Sequence, residues 1–275
     1  MMGPSHAMSG AAVWLAGSAA YSQVTQTPPS LPILIMGTVI MAGAALWPDF
    51  DSYSSTVVKS FGIFGRLFYY LVNAVSIFFY NLTKTRYDGD KENGHRTLLH
   101  TGLMAVVFGG LISLATLSTG VLEIWGNSYT WGQFFGLIIM GISLNLALAG
   151  LFEPVRKVRR KFGPYLIILA SVGITFAFAK IVPEANDTYA WIGIAAGGGA
   201  LVHIFGDLIT KMGVPLLWPL KLGGKRWYDV STPSFLRITA GGGVERKALV
   251  PLFMIVIVGG IVWNVVLITG LGGLF

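Results

Sequence analysis

The sequence predicts an all-α fold, a polytopic bundle of membrane-spanning helices. Three observations predict it: only 11% of the 275 residues are charged, 54% are hydrophobic, and several long apolar runs occur. Soluble domains carry about a quarter charged residues, and an apolar helix of about 20 residues crosses a hydrocarbon core about 30 Å thick. We therefore expect a single integral membrane domain over residues 1–275, with about seven transmembrane helices.

Seven apolar segments are candidate spans, at 7–21, 31–47, 97–118, 131–152, 164–183, 189–210 and 249–273. A further apolar stretch, 57–82, contains Lys59, Arg66 and many aromatic residues. Aromatic rings and basic side chains are typical of headgroup depth. We therefore predict that residues 52–96 form an interfacial or re-entrant helical segment and a loop, with an eighth span as the alternative.

Basic residues mark one side of the membrane. Eighteen of the 19 Lys and Arg residues fall in the connections 48–96, 153–163 and 211–248, whereas 22–30, 119–130 and 184–188 contain none. Cytoplasmic loops are enriched in Lys and Arg, so we expect the basic connections, including the loop 211–248, to be cytoplasmic. The N-terminus then lies inside an inner membrane and the C-terminus outside. The formal charge of +7 is an orientation signal, and no nucleic-acid partner is expected.

The chain contains no cysteine, which excludes disulfides, thiolate metal sites and cysteine nucleophiles. The HExxH, GxSxG and Walker-type motifs are also absent from the sequence, which removes the hydrolase classes that they mark. Any metal site must use imidazole, carboxylate or carbonyl ligands.

All four histidines fall at the predicted cytoplasmic ends of spans, together with three aspartates. The seven candidate metal ligands are His6, Asp49, Asp51, His95, His100, His203 and Asp207. His203 and Asp207 are four residues apart, so a helix presents both on one face. His95 and His100 can meet if a helix begins between them. Asp49 follows Pro48, which we expect to favour an extended backbone there.

Neutral imidazoles combined with carboxylates suit Zn²⁺, Mn²⁺ or Fe²⁺. Because seven ligands exceed the four of a tetrahedral zinc site, we predict two or three divalent ions, Zn²⁺ or Mn²⁺, with Mg²⁺ as an alternative. A single histidine at a membrane interface is more often an ordinary polar residue. An aspartate within a span is costly, about 2 to 3 kcal/mol at mid-depth, and is a functional candidate by default.

These motifs resemble the YdjM-like membrane-bound metal-dependent hydrolases of bacteria. The resemblance rests on His6, the Pro48-Asp49-x-Asp51 element, the GHRxxxH motif at 94–100 and the run HxxxDxxTxxGVPLLWP at 203–219. It implies a hydrolase. A more distant similarity to the zinc-dependent phospholipase C and single-strand nuclease superfamily favours a phosphoester substrate.

The leading hypothesis is a metal-dependent hydrolase that cleaves a phosphoester of a membrane lipid or lipid-like substrate at the cytoplasmic face. A metal-bound water would attack, with Asp51 orienting or deprotonating it and Arg96 offsetting charge in the transition state. The alternatives are a non-catalytic metal-binding membrane protein, an ion transporter, and a hydrolase of a soluble phosphoester such as a nucleotide.

Overall fold

A computed structural model describes residues 1–91, 93–124, 126–152, 163–181 and 189–270. The α-helices in these ranges are α1 Gly3–Thr25, α2 Leu31–Ala44, α3 Thr56–Ser60, α4 Gly62–Thr83, α5 Gly102–Thr116, α6 Trp131–Leu151, α7 Gly163–Ala179, α8 Trp191–Leu208 and α9 Val250–Ile268. A hairpin of two short antiparallel strands, β1 Val121–Ile124 and β2 Asn127–Thr130, lies between α5 and α6. The mainly helical fold class is confirmed.

Each of the seven predicted spans contains a helix, but the count of seven membrane crossings is not confirmed. Five helical segments are long and apolar enough to cross a membrane: Leu31–Asp51, Gly62–Thr83, Trp131–Leu151, Trp191–Leu208 and Glu245–Ile268. The helices α5 and α7 are apolar but shorter. The helix α1 is long enough, but His6 and four serines lower its hydropathy.

The helix α4 is the stretch that the sequence analysis places at the membrane interface. Its length and hydropathy would also allow a crossing. Its two ends, however, contact segments at the same end of the bundle. The ring of Phe61 stacks on Phe50, beyond the C-terminus of α2, and Thr83 Oγ1 accepts a hydrogen bond from Trp227 Nε1, beyond the C-terminus of α8. This arrangement favours the interfacial placement, which stays a prediction.

The main core lies between α2, α5, α6 and α8. Ile40, Met140 and Ile192 are fully buried in it. Close approach of α5 and α8 depends on glycine, because a Cβ on Gly197 would lie 3.0 Å from Cα of Gly109. Small residues at such crossings allow backbones to pack directly, as is common in membrane bundles.

The segment 211–248, predicted as a cytoplasmic basic loop, folds back over one end of the bundle. The Trp218 and Trp227 rings stack with centroids 5.1 Å apart, and Gly102 N, at the start of α5, donates to Leu216 O. The basic run 156–161, the predicted connection 184–188 and the last residues of the predicted span 249–273 lie outside the described residues.

Asp88 ties this segment to the end of α4. Its carboxylate accepts hydrogen bonds from the backbone N–H groups of Thr85, Arg226 and Trp227 at 2.7 to 3.0 Å. Burial raises the pKa of Asp88, but these three hydrogen bonds outweigh it and hold the pKa below its ordinary value of 3.8. Because the pKa is lowered, the ionised Asp88 carboxylate stabilises the folded protein above pH 3.8, and this stabilisation is lost as the pH falls through the folded-state pKa.

We expect Asp88→Asn to lower the unfolding free energy by about 1 kcal/mol at pH 7, because a single amide oxygen cannot accept from both sides. The difference from the wild type should shrink as the pH falls below 3.8 and through the lower folded-state pKa, where the wild-type side chain also becomes neutral. Denaturant unfolding in detergent at pH 7 and at acid pH measures it. Asp229→Asn, which removes a surface pair with Lys91, is the control; equal losses in both variants would contradict the expectation.

Candidate metal centre

Four separate segments meet at one end of the bundle and bring all seven predicted ligands together. His6 lies in the first turns of α1, and His203 and Asp207 lie near the C-terminus of α8. Asp49 and Asp51 lie in the 3₁₀ helix Trp47–Asp51, and His100 ends the 3₁₀ helix Leu98–His100. His95 precedes this second 3₁₀ helix, so a short 3₁₀ turn does begin between His95 and His100, but the α-helix of the span begins only at Gly102, after both histidines.

The extended backbone expected at Asp49 is wrong. The helix α2 ends at Ala44, and the chain then forms the 3₁₀ helix with Pro48 in its first turn. Proline is compatible with a first helical turn, where its missing N–H costs no hydrogen bond. This turn places Asp49 towards His203 and buries Asp51.

One group of candidate ligands consists of His6, His203 and Asp207, with ligand atoms that all lie within 4.8 Å of one another. The rings of His6 and His203 stack with centroids 3.9 Å apart, and Nε2 of His6 lies 3.3 Å from Oδ1 of Asp207. That approach lacks hydrogen-bond geometry, and neither of the two buried ring nitrogens of His6 has a hydrogen-bond partner among the described residues. A buried imidazole without partners is costly, and a metal ion would supply one.

A second group consists of Asp49, His100 and His203. Nε2 of His100 and Nε2 of His203 face each other at 3.2 Å. Nδ1 of His203 lies 2.8 Å from the carbonyl oxygen of Ala45, and Nδ1 of His100 lies 3.1 Å from Oδ2 of Asp51. Carbonyl and carboxylate oxygens only accept hydrogen bonds, so each ring carries its proton on Nδ1. Two neutral rings would then direct Nε2 lone pairs at each other, an arrangement that a cation would stabilise.

Asp51 lies outside both groups of candidate ligands. It is fully buried, and its two oxygens lie 2.8 Å from Nδ1 of His95, 3.1 Å from Nδ1 of His100 and 3.0 Å from the backbone N of Arg96. From its sequence position, Asp51 is expected to be a metal ligand or a base. The geometry is that of a carboxylate that orients imidazoles, the usual partner of a metal-bound histidine.

His95 also lies outside both groups and is the more exposed of the two histidines held by Asp51, with 32% of its side chain accessible. Burial lowers its pKa, but the hydrogen bond and charge of Asp51, with the charge of Asp49, outweigh burial and raise the pKa above its ordinary value of 6.5. His95 is therefore placed at the edge of the centre, between its buried part and solvent.

Arg96 links the GHRxxxH motif to the HxxxDxxTxxG motif. Its Nη2 lies 2.6 Å from Oδ2 of Asp207, and its Nη1 donates to Thr210 Oγ1 and to the carbonyl oxygen of Gly213. Its backbone is left-handed, with φ of 53°, a conformation that is costly for a residue with a side chain. This conformation lets the backbone N–H reach Asp51 while the guanidinium reaches Asp207.

Two supporting contacts were missed by sequence reasoning. Glu245, only 1% exposed, accepts hydrogen bonds from the backbone N–H groups of Met2 and Gly241 and so holds the start of α1. The amino group of Met1 lies 2.6 Å from Oδ1 of Asp207. An acidic residue beside the last apolar run was the available signal for Glu245.

Comparison with known proteins identifies a family. The model of the family described as "YdjM inner membrane protein" matches residues 1–168 and 162–271. No curated protein and no solved structure matches the chain.

Proposed function

Because the chain belongs to the YdjM inner membrane protein family, we propose that the histidine–aspartate cluster is the metal centre of a membrane-embedded hydrolase. The proposed reaction is cleavage of a phosphoester in a lipid or lipid-like substrate at the cytoplasmic face. The sequence resemblance to metal-dependent hydrolases supports the reaction class, and the location of the cluster at one end of an apolar bundle supports an amphiphilic substrate.

The observation that carries the metal assignment is the pair of facing imidazole nitrogens. The oxygens of Ala45 and Asp51 hold the protons of His203 and His100 on Nδ1, so both Nε2 atoms are available as ligands. Metal-bound histidines characteristically donate their second ring N–H to a carboxylate or carbonyl oxygen. The ligands are thus oriented before any ion binds.

The number of ions is limited by His203, which belongs to both candidate groups. Since its Nδ1 faces a carbonyl oxygen, only Nε2 remains, and one lone pair serves one ion. We propose one ion held by His203 with nitrogen and oxygen ligands from His6, His100 and Asp207. A second ion would use Asp49 together with ligands that belong to neither candidate group. The presence of two or three ions therefore stays a prediction, and so does the choice of Zn²⁺ or Mn²⁺.

Such an ion would supply a water with a pKa lowered to about 7 and would polarise the phosphoryl oxygen. Asp51 is proposed to fix the orientation of His95 and His100, a role different from the ligand or base expected from sequence. Arg96 pairs with Asp207 in the structure, and we propose that its guanidinium also shares its charge with the phosphoryl group of the substrate.

The test is a hydrolysis assay on the purified protein with Zn²⁺ or Mn²⁺ against phospholipids, isoprenoid phosphates and soluble phosphomonoesters and diesters. We expect release of product from at least one phosphoester, loss of that activity with a chelator, and recovery on adding metal back. Stoichiometric metal without turnover of any phosphoester would instead support the non-catalytic metal-binding alternative.

A further inference from the structure

An apolar cavity of about 910 Å³ is lined in part by the segments that carry the candidate ligands. Four of its lining residues adjoin candidate ligands along the chain: Pro48, Phe50, Leu99 and Ala200. Pro48 and Phe50 flank Asp49, and Leu99 precedes His100. Ala200 lies three residues before His203, one turn away on α8. The same backbone segments therefore present ligands to the metal centre and apolar side chains to the cavity.

The helix α4 forms the outer wall of this cavity. Leu67, Leu71 and Val72 line it, and the first two are 69% and 61% exposed. Only 11% of the residues in the most apolar stretch of α4 are buried. The cavity thus lies between the bundle and a helix whose surface suits contact with lipid.

We infer that this cavity holds a hydrocarbon chain of a membrane lipid whose phosphorylated headgroup reaches the metal centre. The inference rests on the proposed function. It specifies that the hydrocarbon chain is the part of the substrate that the cavity binds. The cavity volume is within the 300 to 1,000 Å³ range typical of small-ligand sites. Because the chain comes from an equally apolar bilayer, van der Waals packing against the lining residues would hold it there.

The lining favours a hydrocarbon over a polar ligand, because none of the lining residues in the described part of the chain is charged. Sugar hydroxyls or a nucleobase would leave hydrogen-bonding groups without partners there, which is costly. A protein helix fits poorly: three turns about 10 Å across and about 16 Å long fill roughly 1,300 Å³. A lipid chain fits both the volume and the chemistry.

A phospholipid with a photoreactive diazirine on its acyl chain tests the inference. The full-length protein is placed in nanodiscs with metal removed by a chelator, so that labelling reports binding without turnover. We expect labelling of the wild type at residues lining the cavity. Val72→Trp fills part of the cavity and should reduce this labelling about tenfold. Val75→Trp is the matched control, since Val75 lies on α4, is 40% exposed and is not among the lining residues.

A second variant, Val72→Ala, keeps the inference testable if Val72→Trp does not fold. Val72→Ala enlarges the cavity, so competition by lipids of increasing chain length should level off at a longer chain than in the wild type. Equal labelling of Val72→Trp and Val75→Trp, an unchanged chain-length limit in Val72→Ala, or cross-links from the cavity to a second copy of the chain would each overturn the inference.

Hydrolysis is measured separately after metal is restored. Chain labelling that depends on Val72 without hydrolysis of any phosphoester would retain the cavity assignment and remove the proposed function. Hydrolysis of a soluble phosphoester, unchanged by Val72→Trp and without cavity labelling, would retain the function and remove the cavity assignment.

Discussion

Replacing His203 with alanine is expected to remove both the bound metal and the hydrolytic activity. His203 is the residue that the two candidate ligand groups share, and it is fully buried against His6 and His100. Loss of an outer partner of a metal ligand typically costs 10- to 100-fold in affinity, so loss of this ligand should exceed about 100-fold. Metal content per chain by mass spectrometry and the hydrolysis assay are the measurements.

The control for His203→Ala is Ile204→Val, a fully buried neighbour on α8. It should cost about 0.5 to 1.5 kcal/mol of stability and leave metal content unchanged. Both variants must elute as the wild type in size-exclusion chromatography. Full metal occupancy in a folded His203→Ala protein would show that the ion, if bound, is held elsewhere.

The composition of the candidate centre could be predicted from sequence because charge distribution fixes which span ends share one side. Once the basic connections are assigned to one side, His6, His100 and His203 fall at the same depth. The i, i+4 spacing of His203 and Asp207 further requires a common helix face. Both arguments need only local patterns along the chain.

The roles within the centre could not be predicted in the same way. Whether Asp51 binds an ion or orients histidines depends on which donors approach it from residues more than 40 positions away. The left-handed backbone of Arg96 has no composition signal either, because only its contacts with Asp51 and Asp207 make that conformation favourable. Such features follow from packing between distant segments.

The membrane boundaries show a second limit. The hairpin that ends at Thr130 was missed, although Gly126 is a turn residue with φ of 75° and glycine next to asparagine is a turn signal.

The helix α4 satisfies the length and hydropathy of a span, yet both of its ends contact one end of the bundle. Hydropathy alone does not report the direction in which an apolar helix runs.

Asp51→Asn is expected to separate an orienting role from a chemical one. The amide presents one oxygen and one NH₂ group where the carboxylate faces Nδ1 of both His95 and His100. Because Oδ2 also accepts the Arg96 N–H, the amide oxygen stays beside His100 and the NH₂ group faces Nδ1 of His95, whose ring must then carry its proton on Nε2. His100 keeps its Nε2 lone pair but loses the charged carboxylate that orients it. We expect metal affinity to fall about 10- to 100-fold, and ¹⁵N NMR of the histidine rings to show the changed tautomer.

The decisive measurement for Asp51→Asn is the hydrolysis rate as a function of metal concentration. If Asp51 orients the ligands, excess metal restores most of the rate; if it deprotonates the water, the rate stays low at saturating metal. Asp88→Asn is the matched control, because Asp88 also accepts three N–H groups but lies outside the centre. It should leave metal affinity unchanged. A rate that remains low in saturated Asp51→Asn would return Asp51 to the role of base.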